Sequence, residues 1–336
     1  MNRSQMKLKW TIWVLSVLLL LACLLSLNVG VVAISPAEVF QMLTGNGTEQ
    51  QALVLFEIRL PSMVLALLVG TAMAISGAIL QSITRNELAD PGILGINTGA
   101  GLAVVIYIAF SQTATGSLSA SGALILPFFA FFGALLTAVL ITVLAWKRGF
   151  HSIRLILVGI GINAGLSAIL ITLQLRLSPQ DFMEAMVWLC GDLWATQWQY
   201  VRTLSSWLVL LIPYTLYKAH TLNILNLGSQ VATGLGIRSN REYLILIVLA
   251  VAMSGLGVAA GGGIAFLGLI APHIARRIVG PRHQAMLPPA ALLGSLILLL
   301  SDTIGKNLLS PTELPAGMVV SMVSAPYFIF LLMKTK

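Results

Sequence analysis

The chain has 336 residues, of which 58% are hydrophobic and 9% charged, with a formal net charge of +8 and a mean hydropathy of +0.95. A soluble domain carries about 25% charged residues, so this composition excludes a protein that meets water over most of its surface. The apolar residues come in continuous runs near the length that crosses about 30 Å of hydrocarbon, and they do not alternate, which favours helices over barrel strands.

Ten spans are predicted, at about 10–34, 60–83, 93–111, 124–146, 153–175, 198–217, 243–258, 264–279, 287–300 and 314–333. Together they make one all-α polytopic membrane domain over 1–336. The first span follows Arg3, Lys7 and Lys9 and passes through Leu21-Ala22-Cys23, a pattern shared with lipoprotein signals. Its apolar run continues to Ile34 and nine spans follow, so it reads as a first transmembrane helix. In the outer segment 35–59, Ser35-Pro36-Ala37-Glu38 is a helix start and predicts a surface helix over about 35–46, ending near Gly45-Asn46-Gly47. Between the second and third spans, Asn86-Glu87-Leu88-Ala89-Asp90-Pro91-Gly92-Ile93-Leu94-Gly95 forms a polar inner turn behind Arg85. Segment 111–123, rich in Ser, Thr and Gly, reads as a loop. Segment 176–197 predicts a helix through Asp181–Leu189 at the outer interface, a depth that suits Trp188, Trp194, Trp198 and Tyr200.

The inner segment 218–242 is too short and polar to span. Apolar residues at 222, 225, 227, 231, 235 and 237 form a loose helical stripe broken by Gly228, which predicts one or two short amphipathic helices over about 222–237 on the cytoplasmic face. Periodicity leaves open whether they rest on lipid headgroups or receive a partner. Ala72-x-Ala74-x-Ser76-Gly77 recurs as Ala250-x-Ala252-x-Ser254-Gly255. The two spans run in opposite directions, so a repeat relating spans 2–5 to spans 7–10 would be inverted. Gly95-xxx-Gly99, Gly161-xxx-Gly165 and Gly257-xxx-Gly261 allow close helix contact, and Gly261-Gly262-Gly263 predicts a locally irregular helix.

With ten spans and an inner N-terminus, the outer segments hold only Arg59, Arg176, Arg202 and Lys306; the other fifteen of the nineteen Lys and Arg residues lie inside. This is the positive-inside bias. It puts both termini in the cytoplasm and accounts for the basic charge without nucleic acid. There is no phosphate-binding Gly-rich loop, no H-E-x-x-H and no G-x-S-x-G, and Asp and Glu are almost absent from span interiors. An ion-driven carrier keeps an ionisable group at mid-membrane, so the pathway is expected to be driven from outside this chain. Cys23 and Cys190 have neither metal nor disulfide spacing and are expected to pack as small apolar groups. His273 has no second ligand at metal spacing and is expected to be structural. The scattered methionines are expected to pack or line a pathway, not to bind metal.

Several motifs in order resemble one family. They are Ile58-Arg59-Leu60-Pro61, Val69-Gly70, Ser76-Gly77-Ala78, Arg85-Asn86-x-Leu88-Ala89-Asp90-Pro91-Gly92-x-Leu94-Gly95 and Leu227-Gly228. Further along come Phe266-x-Gly268-Leu269-x-x-Pro272-His273-x-x-Arg276, Leu287-Pro288, Asp302-Thr303, Glu313-Leu314-Pro315-x-Gly317 and Ala325-Pro326. From about Ile58 to Met333 the chain resembles the iron-siderophore and vitamin B12 permeases of bacterial ABC importers, of the large ten-helix type.

The resemblance implies a permease in a bacterial cell membrane that imports a ferric siderophore, with vitamin B12 or haem as alternatives. The rival of another class is an ion-coupled secondary carrier. The implied partners are two cytoplasmic ATPase subunits, an extracytoplasmic binding protein and a second permease, a paralogue in preference to an identical chain. ATP and Mg would sit on the ATPase, with no cofactor or metal on this chain. Arg59 and Lys306 stand where the family receives acids of the binding protein; otherwise they would be snorkelling interface residues. Ser62 departs from the Arg that often follows the Pro, which implies weaker or asymmetric docking. The stretch holding Leu222, Leu225, Leu227, Gly228, Val231 and Leu235 matches the coupling helices that fit the ATPase. Asn86 and Leu88 fall at the cytoplasmic gate, with a second gate loop at His151, Ser152 and Ile153. Glu87 stands where the family often has Pro, which implies a less rigid turn.

Overall fold

The computed structural model describes residues 3–28, 35–43, 48–115, 120–147, 149–193, 196–309 and 312–334. These residues form helices joined by short turns, as expected where no water can satisfy a free backbone group. In chain order they are α1 (Arg3–Asn28), α2 (Pro36–Leu43), α3 (Glu49–Leu53), α4 (Leu60–Thr84), α5 (Ile96–Thr115), α6 (Ala120–Ala145) and α7 (Ser152–Gln174). Then follow α8 (Pro179–Leu189), α9 (Trp198–Asn226), α10 (Ser229–Gly234), α11 (Ser239–Gly261), α12 (Leu267–Val279), α13 (His283–Leu308) and α14 (Ala316–Lys334). Among the described residues seven helical runs are long and apolar enough to cross a membrane, and Ile96–Phe110 and Ala316–Leu331 are shorter apolar helices.

Helix α4 is the hub, packed against α13, α11, α12 and α9. Small residues let the backbones touch. A Cβ on Gly77 would lie 1.8 Å from the Gly268 carbonyl oxygen, and one on Gly70 would lie 2.5 Å from that of Gly294. Both contacts exclude any side chain, the expected use of glycine at crossings in a bilayer. The two copies of the repeated Ala-x-Ala-x-Ser-Gly motif face each other in this core. Ser76 Oγ donates to Ala250 O at 2.7 Å, and Ser254 Oγ donates to the same carbonyl at 2.9 Å.

The surface helices follow their local chemistry. In α2, Ser35 N–H donates to Glu38 Oε2 at 2.7 Å and Glu38 N–H to Ser35 Oγ at 3.3 Å, a reciprocal capping box. The predicted end at Gly45-Asn46-Gly47 lies outside the described residues. From Glu49 the outer segment is helical too: α3 passes through a wide π turn, Val54–Arg59, into α4, giving one 36-residue run. The wide turn precedes Pro61, which has no N–H to continue a regular ladder. Helix α8 contains the expected Asp181–Leu189 and starts two residues earlier, at Pro179, with Ser178 Oγ accepting Asp181 N–H at 3.3 Å.

Three expectations need correction. The loop expected at 111–123 is helical up to Thr115 and again from Ala120, because the alanines and apolar residues beside the Ser and Gly sustain helix. Of the one or two short helices expected over 222–237, one stands apart, α10 after Gly228; residues 222–226 instead complete α9. The eighth span is half a helix. Gly262–Phe266 is irregular, and α12 has 13 residues, about 20 Å at 1.5 Å per residue.

Candidate functional site

A cavity of about 470 Å³ opens on the face built by α5, α7 and the irregular stretch before α12, lined by Asp90, Asn97, Thr98, Asn163, Ser167 and Phe266 with apolar neighbours. Apart from the Asp90 carboxyl, its polar side chains are neutral amides and hydroxyls. Thr98 Oγ1 donates to Asn163 Oδ1 at 2.5 Å, and Asn97 Nδ2 donates to Ile264 O at 2.9 Å. Phe266, the residue before α12, has φ 64°, a left-handed conformation costly for a bulky side chain. Its ring sits 5.9 Å from that of Phe328.

Helix α12 begins inside the protein, packed against the turn that follows α4. Phe266 offers no capping oxygen, and the Asp90 carboxyl, in the turn after α4, lies buried beside the first turn of α12. Asp90 is 1% exposed, its Oδ1 accepts Gly92 N–H at 2.7 Å, and a Cβ on Gly268 would come within 2.9 Å of its Oδ2. Burial pushes the Asp90 carboxyl up to about 6, against the opposing pull of the backbone amides of Gly92, Ile93 and Leu269. Gln81 Nε2 donates to Leu269 O at 3.1 Å, so α4 holds the same turn of α12 from the other side.

At the cytoplasmic end, α4 closes with a Schellman turn, in which Arg85 N–H bonds Ser82 O and Asn86 N–H bonds Gln81 O, each at 3.2 Å. Asn86 Oδ1 then accepts Leu88 N–H at 2.9 Å, a local Asx turn. Both side chains are half-buried. Glu87 pairs with Arg276 Nη1 at 3.1 Å and lies 3.4 Å from His273 Nδ1, the latter within ion-pair range without being a hydrogen bond. The expected second gate loop is anchored differently. His151 precedes α7 and is exposed, Ser152 is half-buried, and Ile153 is 73% exposed. Phe150 N–H donates to Asn240 Oδ1 at 3.3 Å and its ring stacks on Tyr243 at 4.1 Å.

The residues expected to meet an ATPase divide in two. Leu222 and Leu225 are 0% and 1% exposed, packed in the core at the end of α9, and present nothing to a partner. Leu227, Val231 and Leu235 are 65%, 47% and 61% exposed, and they flank Gly228 at φ 121°, where glycine is the residue the backbone tolerates.

On the outer side, Arg59 and Lys306 are both engaged within the chain. Arg59 Nη1 donates to Leu27 O at the end of α1. Lys306 Nζ bonds Asp302 Oδ2 at 2.7 Å and Ser62 Oγ at 2.8 Å, so Ser62 holds the lysine of the neighbouring helix. Arg176 and Arg202 are exposed. Sequence reasoning missed Gln81, Asp90 and Arg276 as members of this assembly. The available signal was a charged Arg85 at a helix end where Gly is usual, with oppositely charged Glu87 and Arg276 both on inner segments.

Comparison with known proteins follows the same lines. The profile described as the FecCD transport family matches residues 18–334. The Iron(3+)-hydroxamate import system permease protein FhuG of Bacillus subtilis is 52% identical over 317 residues, covering 94% of each chain. The Iron-uptake system permease protein FeuC of the same organism is 41% identical over 95% of this chain and 96% of its own. Among solved structures, an inward-facing metal-chelate type ABC transporter superposes with a TM-score of 0.84 at 28% identity, covering 96% of this chain and 98% of that one.

Proposed function

The chain belongs to the FecCD transport family, and from that premise we propose that it passes a ferric hydroxamate, a chelate of low or no net charge, across the membrane. Membership makes it the permease subunit of an ATP-driven importer of iron-siderophore complexes, a multi-pass protein of a bacterial cytoplasmic membrane. It is not itself an enzyme and binds no cofactor; ATP is hydrolysed by a separate ATPase, and an extracytoplasmic binding protein delivers the substrate.

The cavity carries the substrate reading. Its polar lining is Asn97, Thr98, Asn163 and Ser167, and among the described lining residues the ionisable group is acidic, Asp90. Such a lining hydrogen-bonds a neutral chelate and repels a polyanionic one, so it selects by exclusion as well as by fit. The 52% identity to a hydroxamate permease supports the same choice over vitamin B12 and haem. Uptake of a radioiron-loaded trihydroxamate, competed with unlabelled trihydroxamate, ferric citrate, cobalamin and haem, tests it. Competition by the trihydroxamate alone is expected. Competition by haem or cobalamin without the trihydroxamate would overturn it, and uptake surviving an inactive ATPase would favour a secondary carrier.

The second permease is placed in this reading against α7. That helix carries Asn163 and Ser167 with Gly161 and Gly165, and a Cβ on either glycine would meet nothing within 4 Å. Polar groups at mid-span face a pathway or another chain, not lipid, and small residues admit a close neighbour. A paralogue is favoured because Ser62 replaces an outer basic residue, which suggests divided labour in docking. The exposed Leu227, Val231 and Leu235 are the ATPase contact, Asn86 and Leu88 with His151–Ile153 the gate, and Arg59 and Lys306 the outer docking cations.

A further inference from the structure

The turn that ends α4 contains a residue that does not suit its backbone. Arg85 sits at φ 52° and ψ 35°, the left-handed conformation that helices usually close with Gly because a Cβ is crowded there. The turn's own hydrogen bonds are made by backbone alone. What the side chain adds is a contact far along the chain: its guanidinium donates to Leu225 O at 3.3 Å, in the last turn of α9, where a cation meets the negative end of the helix dipole. Gly228 N–H shares that carbonyl at 3.1 Å, and a Cβ on Gly228 would lie 3.7 Å from the guanidinium. Arg85 therefore touches the point where α9 gives way to the exposed stretch 227–235.

Glu87 reaches the other way, to Arg276 at 3.1 Å and toward His273 at 3.4 Å, both on α12. Arg276 also donates to Gln81 Oε1 at 3.4 Å. Tethers and gate residues thus alternate along four positions: Arg85 to α9, Asn86, Glu87 to α12, Leu88. The inner end of α9 is itself clamped, with Lys218 paired to Glu242 of α11 at 2.8 Å and Asn223 Oδ1 accepting His283 N–H of α13 at 3.0 Å. Arg85 thus joins the turn to the end of α9, and Glu87 joins it to α12.

We propose that Arg85 and Glu87 are the two ends of a linkage that converts displacement of the ATPase-contacting stretch into movement of Asn86 and Leu88. The proposal rests on the coupling and gate readings above. It also gives Glu87 a purpose: where Pro would stiffen the turn, a paired carboxylate tethers it to α12. Arg85 and Glu87 are positioning residues; neither is assigned a contact with substrate.

The test uses the whole importer in proteoliposomes, with a trihydroxamate-loaded binding protein, and reads iron accumulated per ATP hydrolysed, ATPase copurification and melting temperature. Arg85→Gly relieves the strained backbone and removes the tether. It is expected to melt at or above the wild-type temperature while iron per ATP falls about fivefold or more, the scale of ordinary coupling, and Arg85→Lys is expected to restore much of it. Glu87→Arg and Arg276→Glu are each expected to uncouple, and the double swap to recover. A purely structural Arg85 predicts the opposite for Arg85→Gly, a stable and fully coupled importer, and that result would overturn the linkage. The paired substitution Leu227→Asp with Val231→Asp separates the two levels. If it uncouples transport while Arg85→Gly does not, the linkage alone fails; if it leaves coupling and ATPase binding intact, the coupling reading fails with it.

Discussion

Lys306 allows a structural role and a docking role to be separated by measurement. Its ammonium holds Asp302, whose side chain is 4% exposed while that of Lys306 is 22% exposed. Lys306→Met keeps the apolar stem but leaves the carboxylate without its cation. Breaking a buried pair from one side costs about 3–5 kcal/mol, and the partial exposure of Lys306 argues for the lower end, about 3 kcal/mol. Asp302→Asn alone leaves a partly exposed ammonium unpaired and should cost about 1 kcal/mol; replacing both partners removes the stranded charge and should also cost about 1 kcal/mol, so the cycle should show about 3 kcal/mol of coupling. Denaturant titration of the purified chain in detergent, followed by tryptophan fluorescence, measures the cycle. Binding-protein affinity at low and high salt, measured on the double variant, isolates docking, because an exposed steering charge acts through a screened field. If Lys306→Met is as stable as wild type, the pair supports nothing and the structural reasoning fails, leaving Lys306 free for the partner.

Gly77→Ala should be among the most damaging single-methyl additions, since its Cβ would fall 1.8 Å from a backbone oxygen; a loss of about 1–3 kcal/mol or more is expected, read as the same denaturation midpoint. Gly161→Ala meets nothing within 4 Å and should leave that midpoint unchanged while weakening copurification of the second permease. Asp90 holds its proton more tightly in the folded chain than in the unfolded one, its carboxyl being raised from 3.8 to about 6. Its contribution therefore favours the fold below the unfolded value and is lost as pH rises through about 6. Melting temperatures across that window should show this loss in wild type and not in Asp90→Asn; identical profiles would count against it.

Hydropathy made the spans legible because lipid imposes one simple demand on every residue of a crossing helix. The predicted limits 153–175 against Ser152–Gln174, and 60–83 against Leu60–Thr84, show how directly that demand is written. Where a contact between distant segments decides, local reading stops. The first turn of α12 lies against Asp90 and is held by Gln81, both far upstream in the chain, and nothing near Phe266 announces either. Leu222 and Leu225 fit an amphipathic stripe with Leu227 and Val231, but which part of the stripe faces solvent depends on where α9 ends. Arg59 and Lys306 were legible as outer cations, whereas their partners, Leu27 O and Asp302 with Ser62, came only from packing. Glu87 read as a loss of stiffness until Arg276 stood beside it.

The half-helix α12 also bears on how the chain enters its membrane. A 13-residue segment of about 20 Å cannot bridge roughly 30 Å of hydrocarbon, and its first turn opens at the protein interior. Without α4 and the Asp90 turn beside it, that turn would expose backbone amides to lipid, at several kcal/mol for each unsatisfied group. The segment is therefore a late guest in a house already built: it can settle only after the upstream helices have made its berth. Integration of the chain from α12 onward is in this sense a folding reaction as well as an insertion.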